Sequence, residues 1–187
     1  MIDPVTPRIE GAHHVAFRCF DAEQTRAFYA DLIGLDLAAA IEFETVPGSD
    51  ERLRYMHLFF RMTDGRYVAF FDLPDNLHPN QFKPRSGFHQ HLALEVDSVE
   101  AVMQFKDRLV AYGCDVDGPL DHGFVTSIYT YDPNGIQVEI TTRSQGYAEI
   151  MRREREIAAA NIKSWTIQTA AAKEAFIEPA AAPGPAS

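Results

Sequence analysis

The chain has 187 residues, of which 46% are hydrophobic, and its 17 Lys and Arg face 27 Asp and Glu. A formal charge of −10 argues against nucleic-acid phosphates and anionic membrane surfaces as partners. The length allows one domain with a real core, or two small repeats that share one, and no apolar run approaches the roughly 20 residues needed to span a bilayer.

Residues 1–10 carry Pro4 and Pro7 and read as an arm. Met1-Ile2-Asp3-Pro4 has no basic region followed by an apolar stretch, so no signal peptide is expected. Residues 12–20, AHHVAFRCF, read as a strand between Gly11 and Asp21. DAEQTRAFYADLIGL follows, with apolar residues at 27, 28, 32 and 35. That spacing predicts a helix with Asp21 as N-cap and Gly34 as its stop. RYMHLFFRM and RYVAFFDL then read as two strands joined through Thr63-Asp64-Gly65-Arg66, a hairpin signal.

After a linker rich in Pro and Asn, PDNLHPNQFKPRSG, the pattern restarts. HLALEV reads as a strand, SVEAVMQFKDRLVAYGC as a helix, and FVTSIYTYD and IQVEITT as strands around the turn Asp132-Pro133-Asn134-Gly135. An offset of 77 aligns His14 with His91, Ala16 with Ala93, Phe28 with Phe105 and Leu32 with Leu109. Two copies of one unit are expected, at 12–73 and 89–142. Residues 146–176 place Tyr147, Ile150, Met151, Ile157, Ile162 and Trp165 near one helical face. Pro179, Pro183 and Pro185 among alanines predict a disordered tail over 178–187. Cys19 and Cys114 make neither a disulfide framework nor a thiolate metal site. They suit the reduced thiols of a cytoplasmic protein.

His14 and His91 open the first strand of each repeat. Glu139 falls in the last strand of the second, inside the apolar run Ile136-Gln137-Val138-Glu139-Ile140. Uncompensated burial of a carboxylate costs several kcal/mol or forces protonation, and a cation removes that penalty. Two His and one carboxylate are the facial triad of non-haem Fe(II) sites. Zn(II) also accepts them, so ligand type leaves the metal open. Solvent exposure of Glu139, with Val138 and Ile140 on the buried face, is the competing reading. His13 is expected on the opposite strand face from His14. His89 shares a face with His91, and the repeat alignment favours His91 as the ligand.

With these residues in place the chain resembles the vicinal oxygen chelate superfamily, which includes glyoxalase I, methylmalonyl-CoA epimerase, bleomycin- and fosfomycin-resistance proteins and type I extradiol catechol dioxygenases. HHVAFRCFDAEQTRAFYADLIGL carries the likeness to its opening strand and helix. The resemblance implies an α+β fold: two βαβββ repeats forming one mixed, curved sheet around a metal site, with the domain over 11–143, the linker over 74–88 and a helical extension over 144–177. Glyoxalase-type members place a carboxylate ligand in both repeats. Here the counterpart of Glu139 is Ala69, four residues after Gly65 as Glu139 is four after Gly135.

Three ligands resemble the extradiol set, and a second motif agrees. His122, five residues, Ile128, Tyr129, two residues, Asp132-Pro133-Asn134-Gly135, three residues and Glu139 resemble the extradiol signature. Leu120, two before His122, departs from its usual small or β-branched residue. The resemblance implies Fe(II), with Mn, Zn, Ni or Co as alternatives, held by His14, His91 and Glu139. It implies Tyr129 and His122 beside the substrate and His78 as the acid–base residue. The implied reaction opens the ring of a catechol with O₂. A non-oxidative lyase or isomerase of the same superfamily and a metal-free binding protein are the alternatives. The C-terminal helix is expected to pack on the domain or on a second copy, as in a homodimer.

Overall fold

The computed structural model describes residues 8–74, 78–84 and 88–174. The first seven residues, parts of the linker and the tail lie outside them. β1 (His14–Cys19) runs into α1 (Ala22–Arg26), where the Asp21 carboxylate accepts the Gln24 N–H at 2.7 Å. This is an N-cap, as expected. α1 widens into a π-helical segment, Ala27–Leu32, which buries Phe28, Tyr29 and Leu32. Gly34, at φ 91°, stops it in the left-handed region that glycine adopts at least cost.

β3 (Arg52–Arg61) and β4 (Tyr67–Asp72) form the expected hairpin, and β4 also pairs parallel to β1. A strand that periodicity did not signal, β2 (Asp36–Thr45), completes the order β1-β4-β3-β2. It is an edge strand with mostly exposed residues, so neither face imposes alternation on DLAAAIEFET. Repeat two builds the same order. β5 (His91–Glu95), α2 (Val99–Tyr112), β6 (Asp117–Asp121), β7 (Val125–Tyr131) and β8 (Gln137–Arg143) give a sheet β5-β8-β7-β6. The unsignalled strand is again the edge. DGPLD reads as a turn, and Pro119 is tolerated because an edge strand has a free side.

The α+β fold of two βαβββ repeats thus forms. Its strands divide into two four-stranded sheets rather than one continuous sheet, and no ladder joins β1 to β5 among the described residues. One core unites the repeats. Phe28, Tyr29, Phe60 and Phe70 pack in a single cluster with Leu94, Val102, Leu109, Ile128, Val138 and Ile140. Each such burial contributes about 1.5–3 kcal/mol.

The turn Asp132–Gly135 is a buried clasp and not a solvent hairpin. Tyr29 donates to Asp132 Oδ2 at 3.1 Å, Asn134 Nδ2 donates to Thr25 Oγ1 at 3.2 Å, and the Phe20 N–H donates to Asn134 Oδ1 at 2.9 Å. The other Asp132 oxygen accepts the Asn134 and Ile136 N–H groups. Burial pushes the Asp132 carboxyl up, against the pull of these donors, and pushes the Tyr29 phenol well above its usual value. Gly135 is required: its φ is 77°, and a Cβ there would lie 2.5 Å from the Phe82 and Lys83 carbonyl oxygens.

A second unit begins after Arg143. It holds α3 (Tyr147–Glu174), laced by ion pairs of Arg152 with Glu149 and Glu156 and of Arg153 with Glu149. Ile157, Ile162, Trp165 and Ile167 are exposed on it. No helix of the described residues is long and apolar enough to cross a membrane.

Candidate metal and substrate site

Alternation along β8 puts Gln137 and Glu139 on one face, opposite His91 and Ala93 of β5 and Tyr131 and Tyr129 of β7. Glu139 is 5% exposed, so the carboxylate is buried. His91 Nε2 lies 2.9 Å from its Oε2. Ser127 donates to Oε1 at 2.5 Å, and the Tyr129 hydroxyl donates to the same oxygen at 3.1 Å. His122 Nε2 is 2.9 Å from the Tyr129 hydroxyl. With the phenol proton directed at Glu139, His122 donates through Nε2–H. Burial, and secondarily Glu139, raises the Tyr129 phenol, which keeps it a protonated donor at neutral pH.

The structure therefore brings His91, Glu139, Tyr129 and His122 together. It leaves His14 and His78 apart from them. His14 lies on the face of the first sheet, its Nδ1 2.9 Å from His13 Nδ1, with the rings of Phe59 and His57 at 5.7 and 6.3 Å between centroids. His13 does not alternate away from His14 as expected, because it precedes the start of β1. His78 caps the 3₁₀ turn Pro79–Phe82, its Nδ1 accepting the Asn80 N–H. His89 also precedes its strand and packs its ring on Phe88. Among the described residues no three of His, Cys, Asp and Glu gather closely enough to hold one ion.

The donor set of one chain fits a divalent metal in part. An imidazole nitrogen and a buried carboxylate converge, one ligand short of the facial triad. Two cavities flank the pair. One of about 260 Å³ is lined by His91 and Gln137 with Arg18, Gln81, Phe82 and Lys83. The other, about 430 Å³, is lined by His122, Tyr129, Gln137, Leu120 and Phe88.

Sequence reasoning missed Ser127, although period-two alternation from Tyr129 places it on the same face. It also missed His57, whose ring stacks on Phe71 at 3.8 Å and packs on Phe59 at 4.2 Å. Burial, and secondarily His14, lowers the His57 pKa. Of the phenylalanines, Phe82 lines the first cavity, Phe60 is fully buried in the core and Phe124 is exposed.

Two βαβββ repeats sharing one core define the α+β fold class of this chain. The chain belongs to the Glyoxalase/Bleomycin resistance protein/Dioxygenase superfamily, whose model matches residues 11–140. No curated protein matches it. Solved structures share the fold. A glyoxylase/bleomycin resistance protein/dioxygenase domain from Frankia sp. EAN1pec is 14% identical at a TM-score of 0.61, over 73% of this chain and 100% of that one. The fosfomycin resistance protein FosX from Listeria monocytogenes, complexed with Mn(II) and sulfate, is 19% identical at 0.54, over 75% and 98%. TnmS3, an antibiotic-binding protein from Streptomyces sp. CB03234, is 22% identical at 0.51, over 73% and 98%.

Proposed function

We propose that this chain is an Fe(II)-dependent extradiol dioxygenase acting on a catechol-type diol. The observation that carries the reading is the hydrogen-bonded series His122–Tyr129–Glu139–His91 on one sheet face. His122, Tyr129 and Glu139 match the extradiol signature, and His91 opens the first strand of the second repeat.

In this reading His91 and Glu139 hold the metal with His14 from a second copy of the chain. An Fe(II) ion held there would supply the positive charge that favours an ionised catechol oxygen, and a common site for catechol and O₂. Ser127 fixes one Glu139 oxygen. In the substrate complex of this reading the Tyr129 proton turns from Glu139 to the substrate oxygen, and His122, donating to the phenol oxygen, orients it. His78 is the acid–base residue of this reading. The segment carrying it continues into Gln81, Phe82 and Lys83, which already line the cavity beside His91. The exposed apolar residues of α3 are the proposed contact between copies.

The test is oxygen uptake and yellow ring-opened product from catechol or 2,3-dihydroxybiphenyl, using anaerobically purified, Fe(II)-loaded protein. Loss of both in Glu139→Ala and His91→Ala supports the reading. One bound Mn, Zn, Ni or Co per chain without oxygen uptake on any diol would replace it with a lyase or isomerase. No metal binding would leave a ligand-binding protein, as TnmS3 is described. The shared site has its own test, the mixing of inactive His14→Ala and Glu139→Ala chains. Random pairing in a two-fold dimer restores about a quarter of wild-type turnover if His14 acts across copies, and none if it acts within one.

A further inference from the structure

The two cavities meet at Gln137, and their linings differ in charge. The smaller, about 260 Å³, lies where both repeats and the linker come together. Arg18 of β1 reaches it from repeat one, His91 of β5 from repeat two, and Phe82 and Lys83 from the linker. None of its described lining residues is acidic, in a chain with a formal charge of −10. The larger cavity is lined by Asp117 and, among the described residues, by no Lys or Arg.

The fold holds both cations at this cavity. Arg18 is half-buried, and its Nη2 donates to the Leu73 carbonyl at 3.4 Å. Lys83 is exposed, but the segment that carries it is packed. The Phe82 ring meets Phe20 at 5.6 Å between centroids, and the Phe82 and Lys83 carbonyls close on Gly135, where a Cβ would lie 2.5 Å away. The linker is therefore seated on the Asp132–Gly135 turn, and Lys83 arrives at the cavity with it. Two like charges at one cavity repel, and an anion between them attracts both. The planar guanidinium fork matches a carboxylate, and hydrogen bonds to a charged partner are the strong ones. Phe17 and Ile136 add apolar wall for a ring. The volume lies below the roughly 300–1,000 Å³ of sites for drug-sized ligands, which suits one substituted ring.

We propose that the cavity between Arg18, Lys83 and His91 seats a carboxylate carried on the ring of the substrate, so that the diol is an anionic one. The proposal rests on the extradiol reading above, with His91 as a metal ligand. It names the substrate class within that reading, and it gives repeat one and the linker a part in recognition.

The experiment uses the full chain loaded with Fe(II), without oxygen, and reads dissociation constants by calorimetry. The probes are catechol, 2,3-dihydroxybenzoate and 3,4-dihydroxybenzoate. At least one dihydroxybenzoate is expected to bind at least tenfold tighter than catechol. That preference, the ratio of the two constants, is expected to fall toward one in Lys83→Gln and in Arg18→Met, and to survive in part in Arg18→Lys. Equal or weaker binding of both dihydroxybenzoates by wild type would overturn the proposal. So would a preference that both variants keep, including the case in which they weaken all three probes by one factor, which marks a structural effect. If Arg18→Met does not fold, Lys83→Gln, at an exposed side chain, decides alone. Admitting air then separates the two readings. No oxygen uptake on any of the three diols would overturn the extradiol reading, while a charge-dependent preference in the same samples would still establish the anion seat.

Discussion

Opposite Ala16 the first sheet carries Ala69, and opposite Ala93 the second carries Glu139. The cross-strand partner of Ala69 is Phe59, and that of Glu139 is Tyr129. One further pair along, His57 faces Phe71 where Ser127 faces Thr141. The two repeats share strand order and register but not chemistry. One face is aromatic and holds two histidines; the other is a hydrogen-bonded series ending in a buried carboxylate. A duplicated scaffold supplies the same positions twice, and side chains at three or four of them set the chemistry of each face.

Exchanging the key residue tests this comparison most severely. Ala69 is fully buried. Ala69→Glu is expected to destabilise the protein by several kcal/mol, read from urea unfolding, because repeat one has Phe59 and His57 at the positions from which Tyr129 and Ser127 donate to Glu139. Glu139→Ala is expected to lower Mn(II) or Fe(II) affinity more than about 100-fold in a chelator competition, beyond the loss of an outer partner.

Tyr129→Phe comes next. It is expected to reduce kcat/KM by about 10–100-fold without unfolding the chain. Phe59→Tyr, its mirror in repeat one, is expected to change kcat/KM less than about threefold, since no carboxylate waits opposite.

The clasp between repeats gives a smaller effect with a sign in pH. Asp132→Asn replaces an acceptor oxygen by a donor facing Tyr29 and Asn134, at about 1–3 kcal/mol in urea unfolding. The folded Asp132 pKa is raised by burial. Its contribution to stability is therefore greatest below the unfolded value, about 3.9, and is lost as pH rises through the folded value. The difference in stability between wild type and Asp132→Asn should shrink over that interval as pH rises. The smallest effect concerns thiols. Burial pushes Cys19 up to about 12, so it should stay silent to a disulfide reagent at pH 8 until denaturant is added, while the half-buried Cys114 reacts slowly.

The sequence by itself determined the repeat, its helices and the central strands. Those signals are local: Asp21 and Ser98 cap helices, Gly34 and Gly113 end them, and β3, β4, β7 and β8 are short runs rich in apolar, aromatic and β-branched residues. It also determined that Ala69 matches Glu139, because the short turns after Asp64 and Asp132 preserve spacing. The two edge strands were not legible, since an exposed edge imposes no pattern and β6 is built of turn residues. They absorb the length difference between repeats: β2 has ten residues and β6 has five. Only the tertiary structure decided that the Asp132–Gly135 turn is buried against repeat one, that Ser127 and His122 join Glu139, that His57 stacks on Phe71 beside His14, and that His14 stands apart from His91. Those facts depend on how two sheets with identical order pack through one core, which no local pattern encodes.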